Sequence, residues 1–281
     1  MRSELNLKPG ESAHIEAESR VKKNKAKLSM FNWYGLVIPV SIALIIELAV
    51  YFGFVSKVLL PPPSEIYLTL VDLASGSLWK HIGFSSMRVF SGFLIGASLA
   101  IVAAVIVGLS RKAEKLLDPT FQGLRAIPSL AWVPLLLLWL GIDESSKITM
   151  ITIGAFFPVY LSVLAGIRNV DRKLIEVGEM YGFNQFTLAK RIYLRAAMPN
   201  LFTGLRTGLS VAWMFLVAAE LIAATKGVGY LLTDGRETSR PDIVFSAIIV
   251  LAVLGKITDS VLKYLEGRSL VWRDSLEERM S

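Results

Sequence analysis

The residues in this sequence that could do chemistry are few, and most stand alone in apolar runs. Glu47, Arg206, Glu220, Lys256 and Asp259 each interrupt such a run. An isolated charge in hydrocarbon costs at least about 2.5–3.5 kcal/mol on insertion scales, so each needs a partner or an exit to water. Arg206 lies about six residues, or roughly 9 Å, into its run. It can snorkel to the interface or help hold the loop before it. Glu220 lies near the end of the same run, where it serves either a gate or a cap on the bundle. Lys256 and Asp259 are three apart on one helix face and are expected to pair. Glu47 is protonated, hydrogen-bonded to another helix, or turned toward a second copy. No second buried titratable group accompanies it, so a proton relay is unsupported. The two histidines, His14 and His81, match no metal-ligand spacing, and there is no cysteine. There is no G-x-x-x-x-G-K-[ST], so this chain does not hydrolyse ATP itself, and no H-E-x-x-H. A potassium-channel filter and an Arg-rich span are also missing. No catalytic, metal-ligating or cofactor-binding residue is assigned.

The elements that carry these charges are membrane spans. Hydrophobic residues make up 53% of the 281, charged residues only 19%, and the mean hydropathy is +0.54. A soluble domain carries about 25% charge, and a disordered chain would be less hydrophobic still. Val89–Leu109 and Ile148–Ile167 are uncharged and long enough to cross a bilayer. Tyr34–Phe54, Ala126–Ile142, Leu201–Ala224 and Ile243–Leu265 complete a set of six. Continuous runs, rather than alternation over about ten residues, exclude a β-barrel. The fold class is therefore all-α: a polytopic integral membrane protein with six transmembrane helices. The first run starts after 33 mostly polar residues and is too long for a signal peptide.

Sidedness follows from the basic residues. Segments 1–33, 110–125, 168–199 and the stretch after 262 hold 21 Lys and Arg, against seven in the alternate connections, Arg88 and Lys147 among them. The positive-inside rule then puts both termini in the cytoplasm. The net charge of +7 reads as sidedness rather than as a nucleic-acid surface. The cluster Arg20, Lys22, Lys23, Lys25 and Lys27 serves orientation or contact with anionic lipid headgroups.

Proline and glycine punctuate the spans. Pro61, Pro62 and Pro63 force an extended entry. Ile66, Leu70 and Leu73 after them have helical spacing, as an ordinary loop helix or one lying on the outer interface. Pro128, Pro134 and Pro158 remove backbone hydrogen bonds within spans, as happens where helices line a cavity and in membrane helices generally. Gly92 with Gly96, and Gly204 with Gly208, have the spacing for close helix approach.

The most patterned polar stretch is 171–200. Asp171 can cap a helix beginning at Arg172. Leu174, Val177 and Tyr181 share its face. Gly182 falls where a helix end wants a residue tolerant of positive φ. Asn184 can cap a second helix, with Phe186, Ala189 and Tyr193 on its inner face and Pro199 ending it. Two short amphipathic helices turning on a glycine make either a self-packed loop or a knob for a partner's groove.

Glu176-Val177-Gly178-Glu179-Met180-Tyr181-Gly182, with Ile192 and Leu194 beyond, resembles the cytoplasmic "EAA" loop of binding-protein-dependent ABC importer permeases. That pattern is Glu-Ala-Ala, three residues, Gly, nine residues, Ile-x-Leu-Pro. Here Val177 and Gly178 replace the alanines and Arg195 replaces the proline. The stretches LLPPPSEI (59–66), LRAIPSLAWVPLLLLWLGIDESSKI (124–148), FFPVYLSVLAGIRNVD (156–171), GVGYLL (227–232) and LGKITD (254–259) look like the aliphatic sulfonate, nitrate and taurine branch, and most like its aliphatic sulfonate permeases.

The resemblance covers roughly residues 34–273 and implies a type I ABC importer permease fold. The implied organisation is a cytoplasmic tail (1–33), a first transmembrane helix and outer loop (34–84), a core (85–265) with a coupling loop (168–199), and a cytoplasmic tail (266–281). It further implies a homodimer in the bacterial inner membrane, two cytoplasmic ABC ATPase subunits carrying ATP and Mg, and an extracytoplasmic solute-binding protein. Glu176, Glu179, Gly182, Ile192 and Leu194 would contact the ATPase. Ser210, Trp213 and Met214, at mid-span of the fifth helix, would line the pathway. The cargo would be an aliphatic sulfonate, with nitrate, taurine or another small anion as alternatives. A secondary transporter would need midplane coupling-ion ligands and an internal repeat. A membrane enzyme would need polar groups converging on one face. Neither pattern is visible.

Overall fold

The structure, a computed structural model, describes residues 34–270, and within them the regular structure is helical. The basic cluster of the N-terminal tail and the residues after 270 lie outside the described residues. The chain divides into two compact units after Ser64.

The first unit contains α1 (Tyr34–Tyr51) and ends inside the first turn of α2 (Pro63–Ser75). Pro63, the last of the three prolines, opens α2, where its missing N–H is no loss. Glu47 finds its partner here. Its carboxylate accepts from the backbone N–H of Ser64 (3.1 Å) and from the Ser64 hydroxyl (2.7 Å). A carboxylate at a helix N-terminus is favoured by the unpaired amides there. Of the three expectations for Glu47, the hydrogen bond to another helix is the one observed.

The second unit is built on α6 (Glu144–Arg168), which packs between α3 (Leu78–Leu109) and α9 (Leu194–Ala223). Glycines set both contacts. A Cβ on Gly92 would stand 2.7 Å from the Ile151 side chain, and one on Gly96 would stand 2.5 Å from the Thr152 carbonyl. On the other side, a Cβ on Gly204 would meet Ser162 at 2.7 Å, and one on Gly208 would meet Val159 at 2.7 Å. Both glycine pairs read from the sequence are therefore helix-contact sites. Without a hydrophobic drive in lipid, such close approach is what holds spans together. The core between these helices includes Val89, Ala100, Ile151, Ala155, Val159, Ala212 and Leu216.

Four helical segments are long and apolar enough to cross a membrane: α3, α6, the segment ending in α9, and α11 (Pro241–Ser269). The expected third span, Ala126–Ile142, is not one helix. Here α4 (Arg111–Ala126) ends, a 3-10 turn covers Ser129–Trp132, and α5 (Val133–Leu140) follows, the whole bent by 83°. The proline chemistry explains the break. Ile127, before Pro128, is extended, as proline demands of its predecessor. Pro134 then sits in the first turn of α5, where it is tolerated. Taken as one bent span, the pair is a fifth. The apolar helix Val37–Tyr51 is shorter, so six continuous spans are not found among the described residues. Finally, α10 (Val228–Glu237) packs on α11.

Candidate functional site

At one end of the core, two helices make a knob. Asp171 Oδ1 accepts from the Lys173 N–H (2.9 Å) and starts α7 (Arg172–Met180). Gly182 has φ +73°. Its N–H donates to the Glu179 carbonyl (2.9 Å), and the Phe183 N–H donates to the Gly178 carbonyl (3.1 Å). This crossed pair of bonds is the glycine-terminated helix end. Asn184 Oδ1 accepts from the Thr187 N–H (2.8 Å) and caps α8 (Gln185–Leu188). Both caps and the turn stand where the sequence puts them.

The packing inside the knob differs from expectation. Phe186 is exposed, while Ala189 and Tyr193 are half-buried. The contact between the two helices is made by Gly178 against Leu188 and Ile192. A Cβ on Gly178 would stand 2.5 Å from Ile192 Cδ1 and 2.6 Å from Leu188 Cδ2. Gly178 stands where the loop motif has an alanine. Its burial beside flanking exposed positions is the signal that identifies it. Leu174, Val177, Met180, Tyr181 and Phe186 consequently face outward, a large apolar surface on an otherwise charged knob. Glu176 pairs with Arg172 (2.9 Å), Glu179 and Leu194 are exposed, and Ile192 is half-buried beneath them. A valine at Gly182 would be held at a φ that costs an L-residue about 1–2 kcal/mol. Gly182→Val should therefore loosen the turn, visible as faster protease cleavage at 180–186 in an otherwise normally inserted protein. Cleavage at the wild-type rate would count against the turn.

The second helix of the knob does not stop at Pro199. From α8 the chain passes through a π turn at Ala189–Tyr193 straight into α9, so that 186–222 is one helical rod. Pro199 sits in the second turn of α9 and removes one ladder donor. The wider π turn just upstream changes the ladder register, and Thr203 Oγ1 donates to the Pro199 carbonyl (3.0 Å). The expected stop is thus an interior position of a rod about 55 Å long, at 1.5 Å per residue.

The rod has two faces. One carries Gly204, Gly208 and Ala212 into the core. The other carries Thr203, Thr207, Ser210 and Met214 at helical spacing, all uncovered by this chain. Each hydroxyl donates four residues back: Thr203 to Pro199, Thr207 to Thr203 (2.9 Å) and Ser210 to Arg206 (3.0 Å). This satisfies the donors while leaving oxygen lone pairs outward. Ser210 and Met214 lie on this face. Trp213 does not: it is buried, and its Nε1 donates to Thr258 Oγ1 of α11 (3.0 Å).

Arg206, Asp259 and Glu220 are paired across helices. Arg206 grips Asp259 of α11 through Nε (2.8 Å) and Nη2 (3.3 Å), and its Nη1 reaches Glu266 (3.3 Å). The expected Lys256–Asp259 pair does not form, because a guanidinium engages both carboxylate oxygens at once and a lysine cannot. At the end opposite the knob, Glu220 is 1% exposed. It accepts from Ser85 Oγ (2.8 and 2.9 Å), Arg88 Nη1 (2.6 Å) and the Gly229 N–H (2.7 Å). Arg88 also makes a two-pronged contact with Glu144 (2.6 Å each) and donates to the Lys226 carbonyl (2.6 Å). Lys147 joins through Glu144 (3.1 Å). Arg88 and Lys147 are therefore not loop residues. Both are buried inside helices, since α3 and α6 start well before the uncharged runs do.

Membrane-length helices, a two-helix knob on a continuous rod and a hydroxyl face on that same rod are the features of a multi-pass membrane protein, and the comparisons with known proteins make it a transport permease subunit, not an enzyme. The chain belongs to the family described as binding-protein-dependent transport system inner membrane component, whose profile matches residues 92–270. It is 42% identical to the putative aliphatic sulfonates transport permease protein SsuC of Bacillus subtilis (strain 168), across 95% of this chain and 97% of that protein. It is also 42% identical to the protein of the same description from Escherichia coli (strain K12), across 84% and 90%. Identity to the taurine transport system permease protein TauC of Escherichia coli (strain K12) is 33%, across 79% and 83%.

Proposed function

We propose that this chain is the permease of an ATP-driven importer whose cargo is an aliphatic sulfonate. Two copies face each other through the Thr203–Met214 face of α9, since a single copy cannot enclose a path. The knob end is cytoplasmic, as are both termini. The two knobs dock on two ABC ATPase subunits, which hold ATP and Mg, and a solute-binding protein delivers cargo at the opposite end. The observation that carries this reading is the rod: the knob's second helix and the hydroxyl face belong to one helical rod, so force at the first reaches the second. The relatives named for aliphatic sulfonates, similar along nearly the whole chain, support the cargo.

The anion is not held tightly by the permease. Tight binding would need a cation on the path. Arg206 and Arg88 are each engaged by two carboxylates, and the rod face offers only hydroxyls and a thioether. Weak contact also lets the cargo leave. Calorimetry on the permease–ATPase complex without its binding protein should show no alkanesulfonate binding in the micromolar range, and proteoliposome uptake should require the binding protein. Micromolar binding, or uptake without that protein, would refute this delegation of affinity. Transport of another anion with no sulfonate uptake would refute the cargo.

A further inference from the structure

The rod is tied to its neighbours unevenly. Between the knob and Glu220, among the described residues, the rod's side-chain bonds to other helices run only to α11, from Arg206 and Trp213. Against α6 the rod presents Gly204 and Gly208, and α6 answers with Gly154 and Gly166, whose added Cβ atoms would collide with Phe215 and Asn200. Among the described residues no side-chain hydrogen bond joins these two helices directly, so their contact rests on close packing at the glycines. At the far end the opposite holds. Glu220, in the last turn of α9, is fixed by three donors from α3 and the 226–229 segment: Ser85, Arg88 and Gly229. The same guanidinium locks α6 through Glu144. Ser85 itself accepts from the Val228 N–H (2.8 Å), and His81 Nδ1 accepts from the Gly227 N–H (3.0 Å). Gly227 and Gly229 let this backbone close on the carboxylate, where any Cβ would strike it.

Burying a guanidinium and a carboxylate is unfavourable compared with packing apolar groups there, so such a pair is a device for specificity more than for stability. We propose that Arg88 and Glu220 are positioning residues for transport: they form a fixed pivot about which the rod 186–222, with α11 clamped to it, tilts across the glycine face of α6 when the knob is moved. The pivot turns motion at the knob into displacement of the hydroxyl face. Without it, the knob still moves and ATP is still hydrolysed, but the displacement is lost. The proposal rests on the reading of this chain as an importer permease.

Two measurements on the reconstituted complex test it. In E220Q, which keeps size but removes the charge and turns one accepting oxygen into a donating NH2, uptake should fall on the order of tenfold, within the usual range of coupling between sites. ATP hydrolysis stimulated by the loaded binding protein should persist. Unchanged uptake would overturn the pivot, as would uptake and hydrolysis falling in parallel with the amount of assembled complex. The second measurement needs no pivot variant. Because the chain has no cysteine, spin labels can be placed at Met87 with Leu221, which flank the pair, and at Leu109 with Ala196 near the knob, all exposed. On nucleotide binding the knob-end distance should change more than the far-end distance. Equal or larger movement at Met87–Leu221 would overturn the proposal even if E220Q failed to assemble. Absence of ATP-driven uptake by the unlabelled wild-type complex would instead overturn the importer reading, and the pivot with it.

Discussion

Replacing Arg88 with leucine should destabilise the protein by about 3–5 kcal/mol, the usual cost of stripping one partner from a buried ion pair. The magnitude follows from what remains. Glu220 would stay 1% exposed with its Ser85 and Gly229 bonds but no cation. The 226–229 segment would lose its anchor at the Lys226 carbonyl. The check is thermal unfolding in detergent, together with yield in the membrane. A second variant separates charge from shape. Arg88→Leu with Glu220→Leu removes both charges, and apolar replacement of a whole buried pair is often neutral. The double variant should therefore recover most of the stability lost by the single one. If the double variant is as unstable as the sum of the singles, the pair does not act as a unit. If Arg88→Leu alone is as stable as wild type, the network has no structural weight.

Gly178→Leu should abolish uptake, lowering it by well over about tenfold, while the spans insert normally. The Cβ alone would stand within van der Waals distance of Ile192 and Leu188, and the remaining side chain has nowhere to go. Overpacking typically costs about 1–3 kcal/mol. That is a small loss for a whole bundle, but it falls on a knob held by one such contact and one glycine turn. The two helices must part, and the outward surface of Leu174, Val177, Met180 and Phe186 then loses its fixed shape. Copurification of the ATPase with the permease reads the outcome directly. A Gly178→Ala variant should show a milder loss, because a single methyl group asks the flexible ends of Ile192 and Leu188 to move. Wild-type uptake and assembly in Gly178→Leu would mean that the helix contact plays no part in docking.

The corrections share a pattern. Sequence spacing pairs Asp259 with Lys256 and sets Arg88 in a connection between spans. Each instead found a partner on another helix, with Arg206 and Asp259 53 residues apart and Arg88 and Glu220 132 apart. The two prolines exchange roles: Pro128, expected inside a span, ends a helix because it sets its predecessor extended, whereas Pro199, expected as a stop, is absorbed by a π turn that the residue types do not announce.

What the sequence determined by itself is what short-range chemistry decides. Uncharged runs must be helical to satisfy their backbone in lipid. Asp171 and Asn184 cap because their side chains reach amides two or three residues on, and Gly182 turns because φ of +73° suits glycine. Each of these outcomes depends on a few adjacent residues, so the order of residues suffices to read it. The tertiary structure alone decided which face of α9 is covered, that Gly178 is a contact rather than a lapse, and that Glu220 is anchored to α3 and to the 226–229 segment. Those depend on which distant surfaces come within a few ångströms, and packing, unlike capping, is settled only when every helix is in place.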